Sequence, residues 1–471
     1  MMIREIRENR EAAAEVCRKA YADIQALQPK LNAVITFIDP EEQLANLPEE
    51  GLLRGVPVAV KDNCCTKGIR TTAGSAILQD FIPPYDSTIA EKLKKEGAVM
   101  ICKSSMDELA MGGANTTAFT GPVHNPWDKD RIPGGSSGGS VALVAAGAVP
   151  MAIGSDTGDS IRKPAAWCGV IGVKPTYGLI SRFGGIPYAS SLDTFGVITR
   201  SVEDACIALQ AVAGRDSRDM TSADVEIPDY LAALDSDMHG KKLAVLGNVM
   251  DGLLNDNVRK VFNGIVEKLK ERGAQVDVVY FDQKIIRAVL PAYYAIANAE
   301  AASNNANLDG VRFGVREPGE TTEDIMMNTR TKNFNKMIRR RFTIGAFALD
   351  GENQEKIFRK AKKVRRLICN EINGCLEEYD AILAPTDGDI APRFDDPGAD
   401  PLSDYNLVTG GHLDLENFNG SPSMSVPMGF DQGCPLGISI AAKPFDEITM
   451  FNVAKAVEEI TGLKGLTAEV K

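Results

Sequence analysis

Three stretches of this 471-residue chain set chemically capable residues where a fold can aim them. In GSDTGDSIRKPAA (154–166), Ser160 stands directly behind Thr157, Gly158 and Asp159. A glycine-assisted turn of this kind directs successive backbone N–H groups at one point, as a developing oxyanion requires. In GVPVAVKDN (55–63), the apolar run Val56–Val60 delivers Lys61 to a strand end. A lysine there is ordinarily a surface cation, and it becomes a base only where burial or neighbouring cations lower its pKa. In PGGSSGGS (133–140), a Gly/Ser loop runs into the helix-like VALVAAGAV, so backbone and hydroxyls can approach a ligand closely. No Lys-Ser/Thr pair follows it, which excludes a phosphate loop, and on its own it reads as a flexible turn.

A serine nucleophile needs a base. The chain has only His124, His239 and His412, none in a suggestive setting, so a Ser-His arrangement is open but unsupported. Lys61, as a neutral amine, is the natural alternative.

The elements that must position these groups alternate in α/β fashion. STIAEKLKKEG (87–97) has Ser87 as a cap and Gly97 as a terminator, and leads into the strand-like AVMIC. Over 256–273, Val258, Val261, Phe262, Ile265 and Leu269 share one helical face; Gly273 ends it, and QVDVVYF then alternates as a strand. Strand-like LGISIAA and a helix from Asp446 to Gly462 carry the pattern to the end. No repeat or low-complexity linker divides the chain, so a single domain over 1–471 is expected. The polar stretch 214–240 is the best candidate for a connection between lobes, and 395–404 is a second loop.

Composition narrows the classes. With 44% hydrophobic residues the chain can bury a large core, and a net charge of −12 opposes charge-driven binding to nucleic acid or anionic membrane. Nine scattered cysteines without zinc-type pairs imply reduced thiols and no metal site. The N-terminus lacks an apolar signal core, and the longest apolar run, 141–153, is too short to span a bilayer. A cytoplasmic protein without a membrane anchor is expected.

Together GVPVAVKDN, PGGSSGGS, GSDTGDSIRKPAAWCGVIGVKPTYG and SSLDTFGVITRSVEDA resemble, in order, the motifs of the amidase signature family. The resemblance implies an α/β fold with a large mixed β-sheet sandwiched between α-helices, and a Ser-cis-Ser-Lys triad. Its lysine falls on Lys61, its cis-serine on Ser136 and its nucleophile on Ser160, with the backbone of Thr157, Gly158 and Asp159 forming the oxyanion hole. Asp156 and Arg162 would brace the turn. MDELAMGGANTTAFTGPVHNPWD, AYYAIANAEAASNNANLDGVRFG and RRRFTIGAFAL are similar to the A subunits of glutamyl-tRNA(Gln) amidotransferases, a branch of that family, from about residue 20 onward.

That branch implies glutamine as substrate and amidotransferase partner subunits through which tRNA is served. ATP and Mg²⁺ would bind only on a partner, leaving this chain without a cofactor. The carboxylate-binding arginine falls on Arg341, with Arg340 as the near alternative, and Tyr293 or Tyr294 lies near the substrate. The ammonium-binding aspartate aligns only with gaps, leaving Asp404, Asp414 and Glu416 as candidates. Asp159 stands where the family has glycine: an acid there opposes the developing negative charge and restricts a turn that could need positive φ. A free-standing amidase acting on another small amide, and a weakened scaffold protein, therefore remain as alternatives to the glutaminase.

Overall fold

The computed structural model describes residues 2–9, 12–396, 398 and 400–470. Eleven strands form one sheet: β1 (Val34–Phe37), β2 (Pro57–Lys61), β3 (Val99–Ser104), β4 (Met151–Asp156), β5 (Ile171–Lys174), β6 (Thr194–Thr199), β7 (Lys242–Leu246), β8 (Gln275–Val279), β9 (Ala381–Pro385), β10 (Ser423–Asp431) and β11 (Cys434–Ala442). Their order is β1-β3-β2-β4-β6-β5-β10-β11-β9-β7-β8. The pairs β2–β3, β2–β4, β7–β8 and β7–β9 are parallel, and β4–β6 and β10–β11 are among the antiparallel ones, so the sheet is mixed.

The strands near its middle are buried on both faces, which explains why β2 up to Lys61 and the first half of β4 (Met151–Ile153) are apolar at every position rather than alternating. On one face, Val58, Val60, Met151 and Ile153 join a core with helices Val202–Val212, Asp256–Glu271 and Glu447–Thr461. On the other, Ala59 and Ala152 pack with Val141, Val144 and Ala165 of helices Gly138–Ala145 and Arg162–Cys168. Farther along that face, Ala244 and Ile382 meet helices Val289–Asn304, Lys336–Leu349 and Lys360–Glu378.

Local signals act as their chemistry dictates. Ser87 Oγ accepts the Ala90 N–H at 3.2 Å to start helix Thr88–Lys95, and Gly97 leaves it at φ +75°. Val258, Phe262, Ile265 and Leu269 are buried along helix Asp256–Glu271. The alternating QVDVVYF becomes β8, an edge strand with Val278 61% exposed. Residues 214–240 hold no helix or strand beyond an isolated bridge at Gly214, and strands on either side of them share the one sheet. Within the loop 395–404, residues 397 and 399 lie outside the described residues.

Candidate active site

Parallel pairing creates the site. Strands β2 and β4 run side by side, with Val60 opposite Ile153, so their carboxyl ends deliver Lys61 and the 157–160 turn to the same edge. Lys61 is fully buried. Its Nζ donates to Ser136 Oγ at 2.7 Å, Ser137 Oγ at 2.8 Å and the Ser155 carbonyl at 3.1 Å. Burial lowers its pKa to about 7, against the opposing pull of the Asp107 and Asp156 charges. Neither carboxylate forms an ion pair with it, so a large neutral fraction exists near neutral pH.

The Gly/Ser loop is a packed element rather than a flexible turn. A Cβ on Gly135 would lie 2.0 Å from Asp107 Oδ2, and one on Gly139 would lie 2.5 Å from the Ser105 carbonyl. Asp107 fastens the facing loop by accepting the N–H groups of Asn115 and Thr116 and the Thr117 hydroxyl. The Gly135–Ser136 peptide is cis. Ser137, to which the PGGSSGGS motif gave no role, gives Lys61 a second hydroxyl and donates its N–H to the Ser160 carbonyl at 3.1 Å.

A buried ion pair clamps the turn that carries Ser160. Arg162 Nη2 lies 3.0 Å from Asp156 Oδ1 and donates to the Gly158 carbonyl at 2.7 Å, while Nη1 reaches Glu416 at 2.8 Å. Burial pushes the Asp156 pKa upward, but the Arg162 charge and hydrogen bonds override it and hold the group at about 2. The N–H groups of Thr157, Gly158, Asp159 and Ser160 make no hydrogen bond to any described residue. Four unpartnered donors in succession at a braced turn are suited to an anionic oxygen. Gly158 is needed for space: a Cβ there would lie 2.4 Å from Asp414 Oδ1 and 3.0 Å from the Tyr293 ring.

Asp159 departs from both expectations attached to it. Its backbone is not among those with positive φ, so the turn places no left-handed demand on it. Its carboxylate is not a lone charge either, because Lys163 Nζ lies 2.8 Å away, one helical turn along. Lys163 also approaches Asp387 at 3.6 Å and donates to the Gly410 carbonyl at 3.1 Å.

A cavity of about 760 Å³ opens beside the turn, with Asp159, Lys163, Tyr293, Tyr294, Arg341 and Asp414 on its walls. Arg341 Nη1 donates to the Tyr188 hydroxyl at 2.6 Å, and its guanidinium lies 5.4 Å from the Tyr294 ring centre. No carboxylate among the described residues pairs with it. Arg340 is exposed and does not border the cavity. Of the three acids considered for a substrate ammonium, Asp404 pairs with Arg287 on the surface and Glu416 is engaged by Arg162. Asp414 is 4% exposed with Oδ2 unpartnered. Burial, reinforced by the Asp159 charge, raises its pKa well above the carboxylate range.

No histidine replaces Lys61. His124 contacts the Lys129 carbonyl, His239 pairs with Asp237 on the surface, and His412 is buried against the Thr409 carbonyl with its pKa lowered by burial to about 4. Among the described residues no group of three or more His, Cys, Asp or Glu side chains is placed to hold a metal ion. No described helix is long and apolar enough to cross a membrane.

The amidase family profile matches residues 15–451, and the chain belongs to that family, whose members act on carboxamide C–N bonds. Its architecture is the amidase signature fold, a large mixed sheet between layers of helices. Similarity to the A subunits of glutamyl-tRNA(Gln) amidotransferases runs nearly end to end. The one from Carboxydothermus hydrogenoformans is 42% identical over 460 residues, spanning 96% of this chain and 94% of its own. The one from an Exiguobacterium species is 40% identical over 465 residues, spanning 97% and 96%. The crystal structure of the corresponding Thermotoga maritima protein superposes with a TM-score of 0.84 at 36% identity, covering 100% of this chain and 98% of that one.

Proposed function

We propose that this chain is the glutamine amidohydrolase subunit of a tRNA-dependent amidotransferase, supplying ammonia to a partner subunit. The observation that carries this reading is the Lys61–Ser136 contact: a buried amine at about pKa 7 hydrogen-bonded to a hydroxyl at 2.7 Å. In this mechanism neutral Lys61 takes a proton through the Ser136 hydroxyl from Ser160, whose Oγ attacks the glutamine side-chain carbonyl carbon. The unpartnered N–H groups of the 157–160 turn receive the oxyanion. The proton returns through Ser136 to the departing nitrogen, the C–N bond breaks, and ammonia leaves a glutamyl ester on Ser160. Water, activated by the same Lys61–Ser136 pair, then releases glutamate.

The cavity supplies complementary ends for a free amino acid. Arg341, lacking an acidic partner, takes the carboxylate, and Tyr293 and Tyr294 wall the pocket beside it. Asp414, whose Oδ1 faces Gly158 and whose Oδ2 is unpartnered, takes the ammonium, whose arrival restores the ionised form that burial disfavours. ATP and Mg²⁺ belong to the partner that activates Glu-tRNA, this chain needing neither, and the complex works in the cytoplasm. The test is ammonia release from glutamine, asparagine and simple amides, with and without a Glu-tRNA amidotransferase partner. Glutamine turnover that rises with partner and tRNA supports the reading; equal turnover of simple amides by the isolated chain supports a free-standing amidase instead.

A further inference from the structure

The SSLDTFG segment carries a carboxylate that the mechanism above leaves unused. Asp193 precedes β6, which pairs antiparallel with β4 so that Asp156 faces Thr194. Asp193 therefore lies across from the point where β4 breaks into the turn. Its Oδ1 accepts the Thr157 hydroxyl at 2.7 Å and the Ala189 N–H at 3.0 Å, and its Oδ2 accepts the Tyr188 N–H at 2.9 Å. The same Tyr188 receives Arg341 on its hydroxyl at 2.6 Å. Tyr188 is 2% exposed, so it is a fixed post between the two.

We infer that Asp193 is a positioning residue: by holding the Thr157 hydroxyl against the Tyr188 backbone, it sets the oxyanion turn in register with the Arg341 side of the cavity. The inference rests on the glutaminase reading and deepens it. Thr157 is the residue from which the unpartnered Gly158, Asp159 and Ser160 N–H groups follow. The Arg162 clamp holds Asp156 before Thr157 and the Gly158 carbonyl after it but makes no hydrogen bond to the Thr157 side chain, so nothing in that clamp fixes that side chain. A side-chain tether at that one residue decides where the first peptide plane of the turn points. Because the anchor is Tyr188, displacement of the tether alters the turn relative to the bound substrate rather than moving both together.

This differs from a structural role in what it changes. An oxyanion donor acts in the transition state, so its misplacement lowers kcat and leaves KM. Removing one such donor outright costs about 10²–10³ in kcat; misplacing it costs less, on the order of ten- to a hundredfold. Asp193 also borders a second cavity of about 240 Å³, into which water can enter when its side chain is cut back.

The experiment compares the unmodified chain with Thr157→Val, Asp193→Ala, the double variant and Thr157→Ser, each assembled with its amidotransferase partner. Measured are kcat and KM on glutamine, the rate of Ser160 labelling by a fluorophosphonate, and the melting temperature. Expected are a ten- to hundredfold loss of kcat and a slower labelling rate in both single variants, KM within about twofold, and a double variant no worse than either single one. Thr157→Ser, which keeps the hydroxyl, stays within about threefold of the unmodified chain. Multiplicative losses in the double variant, a loss confined to KM, or unchanged kcat with only a lower melting temperature would each overturn the inference. Should the unmodified chain label with the fluorophosphonate but not hydrolyse glutamine, the glutaminase reading fails, and the labelling rates alone decide the role of Asp193: slower in Thr157→Val and Asp193→Ala to the same extent supports it, unchanged refutes it. An unmodified chain that neither labels nor hydrolyses overturns both.

Discussion

Removing Lys163 should harm turnover more than removing Asp159, although Asp159 is the nearer to Ser160 in sequence. At an effective dielectric near 20, a lone carboxylate roughly 6 Å from a developing oxyanion raises its energy by about 3 kcal/mol. Lys163, 2.8 Å from the Asp159 carboxylate, offsets most of that, leaving a residue below about 1 kcal/mol. Asp159→Gly deletes a nearly neutralised charge and should change kcat by less than about fivefold. Lys163→Met uncovers the carboxylate, and about 2 kcal/mol of exposed repulsion corresponds to a loss of about thirtyfold. The double variant, with neither charge, should return to within about fivefold of the unmodified chain. The assay is kcat for ammonia release at saturating glutamine, with melting temperatures taken alongside because Lys163 also faces Asp387. Full activity in Lys163→Met, or a gain of tenfold or more in Asp159→Gly, would refute the neutralisation argument.

Three other outcomes follow from the same geometry. Because burial lowers the Lys61 pKa to about 7 and the base must be neutral, kcat/KM should rise about tenfold from pH 6 to pH 8 and level off above; a flat profile there would remove Lys61 as the base. Arg341→Ala should raise KM for glutamine on the order of ten- to a hundredfold while an uncharged amide is affected less than about threefold, and equal effects on both would take Arg341 out of the pocket. Arg162→Met leaves Asp156 and Glu416 buried without their partner, so a loss of about 3–5 kcal/mol in denaturant unfolding is expected; an unchanged midpoint would contradict the brace.

Much of the site could be read from the chain because its parts are local. The strand end carrying Lys61 announces itself as the apolar run Val56–Val60, and the glycines around Ser136 and Ser160 mark close approaches that the packing enforces. The Asp159–Lys163 pair is missed where Asp159 is read as an acid opposing the oxyanion, although its four-residue spacing at a helix start carries the signal. Helix phase distinguishes Arg341 from Arg340: it lies three residues after buried Ile338 and four before buried Gly345. The ammonium-side acid was not legible. Asp404, Asp414 and Glu416 are separated by burial and by what reaches them, and Arg287 and Arg162 arrive from distant parts of the chain. Strand order was equally hidden, because β10, the hairpin partner of β11, joins β5 through contacts some 250 residues apart. Asp193 lay within a recognised motif, yet its partner Thr157 is set by the β4–β6 register alone.

In the proposed mechanism Ser160, deprotonated through Ser136 by Lys61, forms an ester with the glutamyl group. The most direct measurement is peptide mass mapping of the assembled enzyme after acid quench during glutamine turnover. A glutamyl adduct on the Ser160 peptide is expected, absent in Ser160→Ala and strongly reduced in Lys61→Met. Continued ammonia release by Ser160→Ala, or an adduct on any other residue, would contradict it.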